Sequence, residues 1–334
     1  MTIGGLAPPL SHGAERGILG GMSRIFFSFG LGAVLAAQTS PDLAEQTRKL
    51  KALVASSPRL AAHRTELAVQ APANGWEMEM VSSVAVDGEG RIYAFQRGGK
   101  ADPVVVMDRA GRVLRSFGRG LYKIPHSIRI DPKGNVWTVD AGSSMVYQHS
   151  PDGRKRLEIA VGGLPANPRS AFCGTTDIAF APGGRIFISD GYANARIVEY
   201  DQRGRRMREW GRPGTGPGEF HLPHGIAADD RNILYVADRE NGRIQRFDLD
   251  GRFLGAWDHL GKTFSITFRR GELWIGTQPR TSPNGMDGWM MKIDRETGAI
   301  LGYVETPGQH SVDLAGPGQP IAGARPGSVI WFRP

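Results

Sequence analysis

The stretch Ile128-Arg129-Ile130-Asp131-Pro132-Lys133-Gly134-Asn135-Val136-Trp137-Thr138-Val139-Asp140 decides the fold. It reads as a short apolar strand, a tight turn carrying Asp, Pro and Gly, and a second apolar strand. A third strand, Met145-Val146-Tyr147-Gln148-His149, and the turn Pro151-Asp152-Gly153 follow. The same order appears in Ser83-Val84-Ala85-Val86-Asp87-Gly88-Glu89-Gly90-Arg91-Ile92-Tyr93-Ala94-Phe95, and later copies begin near Ile178, Ile226, Ile266 and Val312. From Val84 onward the starts are separated by 44, 50, 48, 40 and 46 residues. Strands and turns recurring at that period match four-stranded propeller blades, so six starts predict an all-β, six-bladed β-propeller with mainly four-stranded blades. A two-sheet sandwich would use similar strands but would not explain the period.

The forty-six glycines suit a fold with many tight corners, because glycine accepts positive φ without a Cβ clash. The last copy is poorly matched: Ala322 to Gly327 breaks the pattern before Ser328-Val329-Ile330-Trp331-Phe332. Closing the ring requires a strand from ahead of Val81, for an unpaired edge would expose backbone donors and acceptors. The stretch from Trp76 to Met80 is the expected source.

Residues 75–334 are thus expected to form the propeller and its catalytic apparatus, with an N-terminal extension over 38–74. Within that extension Leu43 to Val54 has a short helical pattern, expected to precede the propeller rather than join its core. Residues 1–37 hold the apolar run Ile25 to Ala37 after Arg24, which reads as an export signal, with Met22 an alternative start, or as a plain apolar leader. The run is too short and glycine-rich to predict a stable membrane span. The signal reading implies a periplasmic or secreted protein, and the plain-leader reading a cytoplasmic one.

One cysteine, Cys173, excludes an internal disulfide framework, and its place before a strand start favours a structural role over a nucleophilic one. The net charge of +8 would attract anions, including an acidic substrate. No nucleic-acid partner is expected, because the basic residues scatter through turns such as Arg203-Gly204-Arg205-Arg206 and no spaced aromatic platform accompanies them.

Three histidines recur at nearly one phase of the repeat: His126 in Pro125-His126-Ser127-Ile128, His224 in Pro223-His224-Gly225-Ile226, and His310 in Gln309-His310-Ser311-Val312. Equivalent positions of different blades converge on the axis, so these imidazoles are expected to meet around one metal ion. Neutral imidazole suits zinc and other borderline metals, and three protein ligands leave room for substrate or water. Any one of them alone would more readily be a packing or turn histidine; the shared phase changes that balance. His149, His221 and His259 lack the full combination, and His12 and His63 precede the repeats.

Two further loops share a strand-corner-strand phase: Ser189-Asp190-Gly191-Tyr192-Ala193-Asn194 and Ala237-Asp238-Arg239-Glu240-Asn241-Gly242. Tyr192 could serve as a base if cationic neighbours favour its phenolate. Arg239, with Arg97 of Phe95-Gln96-Arg97-Gly98, could supply that field and hold a substrate carboxylate. The bland alternative is that Tyr192 closes a loop and the arginines pair with Asp190, Asp238 or Glu240.

Over residues 75 to 314 the chain resembles the peptidyl-α-hydroxyglycine α-amidating lyase family of NHL-repeat propellers. The resemblance is strongest at VSSVAVDGEGRIYAFQRG, PHSIRIDPKGNVWTVD, ISDGYANARIVEY and PHGIAADDRNILYVADRENGRIQRFD. It implies zinc on His126, His224 and His310, Tyr192 as base, and Arg97 and Arg239 as its catalytic neighbours. The reaction it implies cleaves the carbon–nitrogen bond of a peptidyl-α-hydroxyglycine, giving an amide and glyoxylate. Arg97 would then stabilise phenolate or oxyanion and Arg239 would orient the carboxylate, although those roles could be exchanged.

Departures from the family pattern limit that carry-over. Family cysteines are missing beside Tyr192, where Ala193 follows, and near Arg239, where Tyr235 precedes Val236. The resemblance also implies a structural calcium, yet Ser311 stands where an acidic residue is expected after the third histidine. With no companion hydroxylating domain visible, the substrate is expected to be a small α-hydroxy acid or peptide-derived compound supplied by an upstream hydroxylating enzyme. A metal-dependent hydrolase of a small amide or ester, and a non-enzymatic ligand-binding propeller, are the alternative readings.

Overall fold

The computed structural model describes residues 41–162, 174–282, 287–307, 310–324 and 327–334. The apolar leader, Cys173 and Gln309 lie outside them. Six antiparallel four-stranded sheets follow one another around an axis, as the repeat predicts. Their innermost strands are Val81–Val86, Pro125–Ile130, Thr175–Ala181, Pro223–Ala228, Lys262–Arg269 and Asp313–Gly316, which we number as blades one to six.

A single turn device explains much of the periodicity. In blade two, Asp131 accepts the backbone N–H groups of Lys133 and Asn135, both at 2.9 Å, and the indole N–H of Trp137 at 2.9 Å. Gly134 completes the corner at φ +81°, a conformation that penalises a Cβ. Blade one repeats it with Asp87 and Tyr93, whose hydroxyl lies 3.1 Å from the carboxylate. Blade four repeats it with Asp229 and Tyr235, also at 3.1 Å. The carboxylate fixes the turn while its aromatic partner, six residues on, is drawn into the interface between blades.

Those interfaces are buried and largely apolar. Ala85, Tyr93, Phe95, Val104 and Val106 of blade one pack with Ile128 and Val136 of blade two. Every residue of Val81–Val86 and of Ile92–Gln96 is buried. Each blade thus covers the face its neighbour could not cover alone.

The ring closes through an earlier segment than Trp76 to Met80. His63–Leu67 forms the outermost strand of blade six, antiparallel to Ser328–Arg333, with Leu67 opposite Val329. Its signal in sequence is faint because Leu67 is its one buried side chain. Within the break noted from Ala322, residues up to Ala324 belong to the strand Gln319–Ala324, which pairs antiparallel with Ser328–Arg333.

The helical pattern is realised as Pro41–Ala55, but the helix does not stand apart from the core. Leu50 and Val54, four residues apart and so on one helical face, are buried with Tyr235, Trp257, Leu260 and Trp289 of blades four and five. Among the described residues no helix is long and apolar enough to cross a membrane.

Closure by His63–Leu67 makes Leu67 a sensitive position. Leu67→Ala should cost about 2–4 kcal/mol in urea unfolding. Leu254→Ala, at a side chain 39% exposed on an outer strand, should change stability by less than about 0.5 kcal/mol. Equal effects would argue against a closing role for that strand.

Candidate metal centre and catalytic cluster

His126 and His224 lie on the innermost strands of blades two and four, and His310 lies just before that of blade six. Alternate blades therefore send one imidazole each toward the axis. The ring centroids of His126 and His310 are 4.4 Å apart, those of His224 and His310 4.8 Å, and those of His126 and His224 4.9 Å. One ring nitrogen from each lies within 4.8 Å of the others.

What orients the rings is a repeated contact with the next blade. Nδ1–H of His126 donates to the carbonyl of Thr176 at 2.6 Å, that of His224 to Phe264 at 2.6 Å, and that of His310 to Ser82 at 2.9 Å. A nitrogen that donates to a carbonyl carries the proton, which leaves Nε2 with its lone pair available on all three rings. An all-imidazole set with no carboxylate in it suits a borderline divalent metal and not a hard one such as calcium. The three together form a site able to hold a metal ion, with coordination positions to spare.

Burial holds the second proton off two of these rings, His126 and His224. Loss of hydration, then the charges of His310 and Arg97, keep His126 well below its ordinary value. Burial, then Arg239 and His310, do the same for His224. Both are therefore in the form a metal requires at neutral pH.

Tyr192 is brought to the same point. Its hydroxyl lies 2.9 Å from Nε2 of His126 and 3.2 Å from Nε2 of His224, so its single proton can serve only one at a time. Gly191 makes this approach feasible: a Cβ there would come within 1.9 Å of the Pro223 carbonyl oxygen in the next blade. Burial pushes the phenol above its ordinary value, and Arg239 and Arg97 pull against that without overcoming it.

Arg239 lies with its guanidinium carbon 4.8 Å from the Phe264 ring centre and 5.9 Å from that of Tyr192. Its Nε–H donates to Glu240 at 2.9 Å, and Glu240 also pairs with Lys262 at 2.8 Å. Arg97 reaches over from blade one and gives its Nε–H to the carbonyl of Pro125 at 2.8 Å, next to His126. All six predicted side chains therefore surround one end of the axis. His149 is instead a core group of blade two, 3.0 Å from the Tyr122 hydroxyl, with burial lowering it to about 4. Phe264, which supplies a carbonyl to His224 and a face to Arg239, carried no signal in sequence because a lone aromatic on a strand is ordinary core.

Comparisons with known proteins bear on the fold and the family. A family model described as a 6-bladed beta-propeller matches residues 173–275. A probable peptidyl-α-hydroxyglycine α-amidating lyase of Caenorhabditis elegans is 30% identical over 258 residues, covering 66% of this chain and 73% of the relative. The chain belongs to the peptidyl-α-hydroxyglycine α-amidating lyase family. The peptidyl-glycine alpha-amidating monooxygenase of Mus musculus is 33% identical over 201 residues, or 51% of this chain, which spans 20% of that protein's length. Among solved structures, virginiamycin B lyase from Staphylococcus aureus (TM-score 0.56, 18% identity) matches 82% of this chain and 99% of its own. A gluconolactonase from Xanthomonas campestris (TM-score 0.56, 16% identity) covers 83% and 91%. At these identities both speak for the propeller fold alone. As a lyase-family propeller this chain supplies its imidazoles from three alternate blades and its Tyr192 and Arg239 from the corners between second and third strands.

The depressed histidines give a signed pH dependence. An unfolded histidine titrates near 6.5, so between that value and the lower folded values the unfolded chain binds more protons. The stability contributed by the neutral rings is fully present above pH 6.5 and is lost as the pH falls below it. Chelator-treated protein should lose up to about 1.4 kcal/mol per pH unit for each such ring on acidification from pH 6.5 toward 5. His126→Asn, whose amide can still meet the Thr176 carbonyl, should reduce that slope; a flat stability profile in the parent protein would contradict it.

Proposed function

We propose that the chain is a lyase that splits the carbon–nitrogen bond of a peptidyl-α-hydroxyglycine or a related N-substituted α-hydroxy acid, releasing an amide and glyoxylate. The observation that supports this most is the Tyr192 hydroxyl within hydrogen-bond distance of two of the three clustered imidazoles. A purely binding propeller gives no reason to bury a phenol against that cluster. Relatives named for this activity support the substrate class.

Zinc is the metal that the all-imidazole donor set fits best among common biological ions, with His126, His224 and His310 as its ligands. When bound it supplies positive charge that acidifies a nearby hydroxyl and favours a phenolate over a phenol. The need for such charge follows from Tyr192, where burial outweighs the combined pull of the two arginines.

The protein groups then divide the work. Tyr192 accepts the α-hydroxyl proton. As that oxygen becomes the aldehyde oxygen of glyoxylate, the bond to nitrogen breaks, and the nitrogen gains one proton to become the primary amide. One molecule yields two with no water consumed, which distinguishes the reaction from hydrolysis. To Arg239, against the Tyr192 ring and anchored by Glu240, we assign stabilisation of the phenolate. Arg97 is then the candidate for the substrate carboxylate, the reverse of the expected order.

A synthetic peptidyl-α-hydroxyglycine tests this reading. Zinc-loaded protein should release amide and glyoxylate in equal amounts. Tyr192→Phe should keep its metal and lose about 10²–10⁴ in kcat, whereas His224→Ala should lose metal and turnover together. Absence of turnover by folded, metal-loaded protein would reject the peptidyl substrate, and a Tyr192→Phe enzyme of normal rate would remove the tyrosine from the chemistry.

A further inference from the structure

Just below the imidazoles the axis is filled by an ion pair. Arg129, three residues after His126 and 12% exposed, gives Nε–H to Oδ1 of Asp177 at 3.0 Å and Nη2–H to Oδ2 at 2.5 Å. The same guanidinium donates to the carbonyl of Ile266 in blade five at 3.0 Å and to that of Val312, before blade six, at 3.3 Å. Asp177 in blade three also accepts the Ser127 hydroxyl and, at 3.4 Å, the backbone N–H of Ile226 in blade four.

The residues touched are the neighbours of the metal ligands. Ser127 adjoins His126, Ile226 follows His224 by two, and Val312 follows His310 by two. One ion pair thus ties together all three histidine-bearing segments. Arg129 also lines both the gap beneath the imidazoles and a cavity of about 430 Å³ at the opposite end of the axis, so it divides the channel.

The oxygens it gathers, a carboxylate and carbonyls from two blades, are the donor set of a hard divalent cation. Here a guanidinium takes them, its planar fork matching the carboxylate edge. The second axial carboxylate, Asp313, is likewise paired, with Arg269 at 3.0 Å. Ser311, the residue in the expected acidic position, brings no charge and is hydrogen-bonded to Ser83 at 3.0 Å. A calcium ion does not fit this arrangement: its ligands are occupied and its charge would be uncompensated.

We propose that Arg129, held by Asp177, is a built-in cation that replaces a structural metal in the channel and positions the three metal-binding histidines. The chain is then a one-metal propeller. Its transition-metal site rests on the reading given above, but the insensitivity to calcium rests on the ion pair alone.

The test combines thermal unfolding in calcium and in a calcium chelator with cobalt(II) affinity, for the parent protein and Arg129→Ala. The parent should unfold at the same temperature in both media, within about 2 °C. Arg129→Ala should unfold about 10 °C lower, recover part of that loss in millimolar calcium or guanidinium, and bind cobalt about tenfold or more weakly with an altered absorption spectrum. A merely structural pair would lower the unfolding temperature and leave cobalt affinity unchanged, which would overturn the positioning role. A parent protein that purifies with calcium, or gains several degrees from it, would overturn the replacement; that arm needs no variant and stands even if Arg129→Ala fails to fold. A parent protein insensitive to calcium that also fails to bind cobalt would refute the metal reading of the histidines while upholding the built-in cation.

Discussion

Each active-site imidazole gives its Nδ1 proton to a backbone carbonyl of the adjoining blade, and the rest of the site depends on that bond. The carbonyl fixes the tautomer, the tautomer fixes which nitrogen keeps its lone pair, and the three lone pairs then share one small volume. Because the acceptor belongs to the neighbouring blade, ring orientation reports on blade packing. The apolar interfaces between sheets are in this sense part of the geometry of the imidazole cluster.

The electrostatics follow from the same enclosure. Burial works against charge on His126, His224 and Tyr192 alike, so these three groups favour their neutral forms. Its fixed charges are set around it: Arg239 anchored through Glu240 and Lys262, Arg97 tied to the strand of His126, and Arg129 neutralised by Asp177 underneath. A cation placed among the imidazoles would meet no carboxylate competing for it.

Much of this was legible in the sequence. The Asp-to-aromatic turn device leaves a repeating trace of turn residues and apolar strands, so six blades could be counted. Shared phase then placed His126, His224 and His310 on alternate blades, and Tyr192 and Arg239 at equivalent corners. Segments whose structure comes from distant partners were harder to read. His63–Leu67 is a polar edge strand defined by Ser328–Arg333, and Leu50 and Val54 show a helical face without showing what it covers. Arg129 carries no distinguishing signal within its strand; the convergence of Asp177, Ile266 and Val312 on it is visible only in the folded chain. Spacing likewise left the division of roles between Arg97 and Arg239 open, because it does not encode which guanidinium lies against the Tyr192 ring.

Blade six joins the first and last strands of the propeller, with His63–Leu67 laid against Ser328–Arg333. This imposes an order on biosynthesis. The first propeller strand to leave the ribosome has no partner until the last one follows, and His310 is made after the other two ligands. Chains arrested before that point would carry two imidazoles and an open ring, so a complete cluster of three imidazoles also certifies that translation reached the final blade.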